Sequence, residues 1–152
     1  MPSRSLLPVV TVALMAACGG APEEAPESGP SAADSVQAAM AQFDPAGFDT
    51  VTWASHEDAV VRGSVVFSYS CARCHGRYGE GDGGFVTQGD TLRPPDFTVA
   101  DWRFAEDLAG LREFIYVGAE GGMPHWGLEG LRYKDVDAVA KFLQDGLNRG
   151  QD

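Results

Sequence analysis

Cysteine is scarce in this chain of 152 residues, which holds three. Cys18 closes the N-terminal apolar run, and Cys71 and Cys74 lie three positions apart, a pattern that excludes a disulfide framework. Positive charge is scarce as well: 11 Lys and Arg stand against 22 Asp and Glu, a formal net charge of −11. Such a surface leaves a phosphate field unneutralised, which excludes electrostatic binding to nucleic acid or to an anionic lipid surface. Long apolar runs are missing too. A spanning helix takes ~20 residues, whereas the run from Leu6 to Ala17 holds 12. No strand-like alternation is visible. What remains is an ordinary hydrophobic fraction, 44%, enough for one small core plus a tether.

The first residues read as an address. Arg4 precedes the apolar run, which ends in small residues, so residues 1–17 are expected to be a signal peptide. Met15, Ala16 and Ala17 before Cys18 resemble the lipobox of bacterial lipoproteins, in which the cysteine becomes the lipid-bearing amino terminus. Loss of Arg4 would make the mature charge −12. Residues 18–54 then read as a lipidated cysteine and a tether: Gly19 to Ser35 is rich in Pro, Glu, Ala and Ser and cannot bury enough surface to fold. From Val36 to Trp53 apolar residues return, packing either on the domain or on a partner. Taken as flexible, Gly19 to Ser55 would span a root-mean-square distance of about 35 Å.

Residues 55–150 are expected to form the folded domain, all-α, with about three main helices. Ser55 and Asp58 have capping-box spacing, and Ala59, Gly63, Val66, Phe67 and Ser70 share one face of a helix from about Glu57 to Ser70. A second runs from about Glu106 to Val117, carrying Leu108, Leu111 and Ile115, with Gly118 as its stop. A third runs from Lys134 to about Asn148, with Val136, Val139, Ala140, Leu143 and Leu147 at i, i+3, i+4, i+7 and i+11. Between the first two lies a loop of about 35 residues, Cys71 to Ala105, rich in glycine. A loop that long in a compact domain must wrap something that supplies the missing core.

Its first residues name a candidate. Residues 71–75 read CARCH, the C-x-x-C-H signature of covalent haem attachment, in which two thiols one helical turn apart meet two vinyl groups and the next imidazole faces the iron. A zinc site would need about four donors, and a thioredoxin-like dithiol would need a strand before it. Cys71 and Cys74 are therefore assigned to one covalent haem c and His75 to its iron. Met40 and Met123 are the methionines of the mature chain; Met123 sits in EGGMPHW, 48 residues after His75, and is the expected sixth ligand. His125 is the runner-up, and His56 reads as a capping or exposed residue. Arg93, Trp102, Tyr78 and Arg103 are candidate donors to the propionates, and Glu80 and Asp82 read as a solvated turn.

CARCH, the Gly63 to Phe67 pair, RPPDFT at Arg93 to Thr98 and GGMPHW at Gly121 to Trp126 resemble the class I monohaem cytochromes c over roughly Glu57 to Asn148. The resemblance implies that the first and last helices cross beside the haem, and that Pro94 or Pro95 offers its carbonyl to the other nitrogen of His75. Lipobox, acidic tether and GGMP loop together look like the monohaem subunit of bacterial alternative complex III, a quinol-oxidising membrane complex. The expected function is single-electron transfer between respiratory partners on the periplasmic or cell-envelope side, membrane-anchored through Cys18. The alternatives are a free shuttle to a terminal oxidase, a cytochrome of a dehydrogenase assembly, and a haem sensor or catalyst with a displaceable methionine.

Overall fold

The computed structural model describes residues 29–87 and 89–147. The expected signal peptide, Cys18 and residues 148–150 of the expected domain lie outside them. The helices are α1 (Ala32–Gln42), α2 (His56–Val66), α3 (Ala72–His75), α4 (Leu108–Val117) and α5 (Tyr133–Lys141). Two residues on each side, β1 (Val86–Thr87) and β2 (Asp90–Thr91), pair antiparallel inside the long loop, Val86 opposite Thr91. The all-α expectation holds.

The framework is α2 against α5. At the crossing stands Gly63, where an added Cβ would overlap the Ala138 carbonyl; glycine is what lets the two backbones meet. Phe67, Val136 and Val139 are almost wholly buried beside it, each contributing roughly 1.5–3 kcal/mol by leaving water. The expected stop at Ser70 is corrected. Helix continues from α2 through a π-helical turn, Phe67–Cys71, into α3 and ends at Gly76, because nothing in YSCARCH breaks it. The last helix likewise closes in a π turn, Phe142–Gly146. At α4, Asp107 lies outside the first turn and caps it, its side chain accepting from the Gly110 N–H at 2.8 Å.

The tether boundary is also corrected. From Ala32 onward the chain belongs to the domain. Ser31 and Asp34 form a reciprocal capping box, each bond 3.1 Å, and α1 packs on α4 with Ala39 fully buried. A 3₁₀ turn, Pro45–Phe48, follows. Phe43 meets Tyr116 at 5.3 Å between ring centroids and Phe48 meets Tyr133 at 4.8 Å; the Tyr133 hydroxyl accepts from the Asp44 N–H at 2.9 Å.

Behind these rings Asp137 is 0% exposed. Trp53 Nε1 donates to it at 2.6 Å, Lys141 Nζ at 2.9 Å, and the Arg112 guanidinium pairs with its other oxygen. Burial pushes this carboxyl up, but the bonds from Lys141, Trp53 and Arg112 outweigh it and hold the group below the usual carboxylate range. Asp135 pairs with Arg62 at 2.8 Å and Arg132 at 3.6 Å. Among the described residues no helix is long and apolar enough to cross a membrane.

Candidate haem site

The C-x-x-C-H residues enter the site from the end of the long first helix. Because the π turn and α3 carry the chain through Cys71 to His75 without a break, the two cysteines share a face one turn apart. Both are free thiols, Cys71 buried and Cys74 half-buried. Burial, helped by Cys74, pushes the Cys71 thiol up to about 12. His75 is 8% exposed, and burial pushes its imidazole down to about 4, leaving it neutral, the form that can ligate a metal. Phe97 stacks on the imidazole at 4.6 Å and 25°.

Two adjoining cavities flank these residues. The larger, about 240 Å³, is lined by Cys71, Cys74, His75, Arg93, Met123 and Trp126 among others. The smaller, about 120 Å³, is walled by Phe67, Phe97, Trp102, Phe104, Val139 and Leu143. Cys71, His75, Pro95, Phe114 and Met123 line both, so the two make one apolar slot running from the α2–α5 crossing to the surface.

Met123 reaches the slot on a loop clamped to the C-terminal end of α4. The Ala119 N–H donates to the Met123 carbonyl at 3.1 Å and the Gly127 N–H to the Tyr116 carbonyl at 3.0 Å. Gly118, at φ 76°, brings its backbone against the Met123 and Pro124 carbonyls, where an added Cβ would approach within 2.7 Å and 2.6 Å. His125, the runner-up ligand, closes the clamp: its Nδ1 lies 2.5 Å from the Val117 carbonyl, and it is on neither cavity wall. Met40 stands on α1, 56% exposed, away from the slot. His56 opens α2 and pairs with Asp145 at 3.1 Å.

Of the loop residues, Arg93, Pro94 and Pro95 line the larger cavity, and Trp102 and Arg103 the smaller. Tyr78 is exposed and lines neither. The proline bond to the imidazole is not formed: the Pro94 carbonyl presses on Gly81, and His75 Nδ1 is buried without a hydrogen-bond partner among the described residues. Phe97, Leu92, Phe114 and Trp126 were not singled out as site residues from sequence; Phe97 and Trp126 stand inside RPPDFT and GGMPHW, where an aromatic beside a ligand segment was the available signal.

The donor set fits a haem. Two thiols a turn apart, a neutral imidazole, a thioether and an apolar slot with a basic residue at its wall are what a covalently held porphyrin needs. No group of three or more His, Cys, Asp or Glu side chains among the described residues is placed to hold a metal ion, which leaves a zinc reading without donors. Among the described residues no strand precedes the cysteine pair, which follows helix instead, and this counts against the thioredoxin-like reading.

An all-α chain of this kind, with long loops closing on such a slot, has the class I cytochrome c fold. The chain belongs to the cytochrome c oxidase, cbb3-type, subunit III family, whose model matches residues 58–143. It is a c-type cytochrome, and the family carries covalently bound haem c. The chain is 30% identical over 97 residues to the cbb3-type cytochrome c oxidase subunit CcoP of Cereibacter sphaeroides, a match covering 63% of this chain and 30% of that protein. It thus spans about a third of the length of this curated relative. No solved structure matches significantly.

Proposed function

We propose that this protein is a membrane-tethered monohaem cytochrome c that passes single electrons between respiratory partners. The observation that carries the reading is the meeting of His75 and Met123 in one apolar slot whose wall also holds Cys71 and Cys74. In this reading Cys71 and Cys74 would hold the haem through thioether bonds, and His75 and Met123 would ligate its iron. Arg93 and Trp102 face the porphyrin edge, and Pro94 and Pro95 pack beside His75. When bound, haem c would supply a one-electron couple. Phe97 fixes the plane of the imidazole. The α4 clamp holds the thioether at one depth, and the aromatic wall keeps water from the iron. With His125 engaged on Val117, no Asp or Glu and no histidine other than His75 lines the slot among the described residues, which favours a carrier over a sensor or catalyst.

The amino-terminal part of the proposal is a signal peptide over residues 1–17 and lipid on Cys18, placing the domain on the periplasmic or envelope side. Its partners are then redox proteins in or near that membrane. The family match and the likeness to an oxidase subunit favour a place in or beside an oxidase-type complex over a role as the monohaem subunit of alternative complex III.

Four measurements test the reading. Acid–acetone extraction should leave the colour on the protein; colour lost to the solvent overturns covalent attachment. Met123→His should keep the haem and lower the reduction potential, because an imidazole stabilises the ferric state relative to a thioether. A wild-type ferric spectrum without the methionine–iron charge-transfer band overturns Met123 as ligand. Affinity capture of the lipidated form from its own membrane then separates a fixed oxidase subunit from a quinol-oxidising complex.

A further inference from the structure

Trp126 presents a buried donor that nothing in the protein satisfies. Its indole ring packs against the core cluster, and its Nε1 is buried with no hydrogen-bond partner among the described residues. An indole nitrogen can only donate, and a buried N–H without an acceptor is costly. The backbone that carries the ring is pinned on both sides. His125 is held to Val117 and the Gly127 N–H to Tyr116, while the Trp126 carbonyl accepts from the Leu131 N–H at 2.8 Å. The same side chain lines the larger cavity beside Arg93, and no ion pair among the described residues engages Arg93.

A donor and a cation on one wall call for an anionic acceptor inside the slot. A haem offers one kind, since its pyrrole nitrogens are committed to the iron and its two propionate carboxylates are the remaining strong acceptors. We infer that Trp126 Nε1–H donates to a haem propionate, with Arg93 supplying charge to the same edge. The inference rests on the haem reading above. It makes Trp126 a cofactor-binding residue three positions beyond the axial methionine, so one loop sets both the iron's sulfur ligand and the charge at the porphyrin edge. Removing the N–H leaves more negative charge near the iron, stabilises the ferric state and lowers the reduction potential.

The test uses the intact holoprotein. In the diamagnetic ferrous form, proton NMR should show a through-space contact between the Trp126 indole N–H and the methylene protons of one propionate. Trp126→Phe, which keeps a ring in the slot, should lower the reduction potential and shift the propionate bending mode in the resonance Raman spectrum. Arg93→Gln should move both in the same direction. A covalent haem with His/Met ligation, an assigned indole N–H that contacts water alone, and an unchanged potential and bending mode in Trp126→Phe overturn this inference and leave the proposed function standing. A haem that extracts into acid–acetone overturns both. Because the NMR contact is read on the wild-type protein, the inference remains testable even if Trp126→Phe misfolds.

Discussion

The two halves of this domain solve the problem of buried polarity in opposite ways. On the side of α1, α4 and α5, Asp137 is wholly enclosed, yet Trp53, Arg112 and Lys141 satisfy it. On the side of α3 and the Met123 loop, two buried nitrogens, His75 Nδ1 and Trp126 Nε1, have no partner among the described residues. The first half is complete in its own side chains. The second is shaped around a guest: His75 and Trp126 both line the cavity where that guest belongs. A stability argument that treated both halves alike would misjudge each.

The strongest way to break this contrast is to deny the second half its guest. Replacing Cys71 and Cys74 together by Ser should abolish covalent attachment, and cooperative thermal unfolding followed by circular dichroism should be lost or greatly weakened. If the double variant unfolds with the wild-type midpoint, the slot holds itself up and the contrast is wrong.

Asp137→Ala attacks the first half. Removing one partner of a buried charge cluster leaves Arg112 and Lys141 uncompensated and should cost about 3–5 kcal/mol in denaturant unfolding, with the haem spectrum intact under native conditions. A loss under about 1 kcal/mol would mean that the cluster is ornamental. The same carboxyl predicts a pH dependence. Its folded value is lowered, so its contribution is complete above the unfolded value of about 3.9 and is lost as pH falls through the folded value. Wild-type stability should therefore drop more steeply below about pH 4 than that of Asp137→Asn, measured by denaturant titration across that range; parallel curves would refute the linkage.

His125→Ala sharpens the comparison at the border between the halves. It should cost about 1–2 kcal/mol by orphaning the Val117 carbonyl and should weaken the methionine–iron charge-transfer band at mildly alkaline pH, while haem content stays full. An unaltered band would show that Gly118 and the Ala119 bond suffice to hold Met123. The smallest effect is expected at Ser31→Ala, about 1 kcal/mol from loss of the α1 cap, read as faster amide exchange confined to α1. Exchange that spreads through α4 and α5 would make α1 part of the core rather than a brace on it.

Much of this was legible from residue order because it rests on local spacing. The CARCH run and the stripe Val136, Val139, Ala140, Leu143 are patterns a few residues wide, and the structure places them in one helix end and one buried face. What escaped depends on distance in the chain. Asp135 and Asp137 stand near the start of the last helix, but their partners Arg62, Arg112 and Trp53 lie 25 to 84 positions away. The α1 cap was written locally, as Ser31 and Asp34, and was masked by the Pro and Glu content around it. The extension of the first helix was missed because the glycines that suggested a loop begin at Gly76, after the signature rather than before it.

The docking of α1 changes how far this domain could travel. Had the chain been free to Ser55, its 37 linking residues could extend to at most about 130 Å from an anchor at Cys18. With Ser31 fixed as the cap of a packed helix, the leash from Cys18 has about 13 links and cannot exceed about 45 Å whatever its conformation. On the anchor proposed here, the end of the molecule where α1 begins stays turned toward the bilayer. A carrier on so short a leash visits neighbours in the same patch of membrane, and its choice of partner becomes a matter of which complex sits beside it.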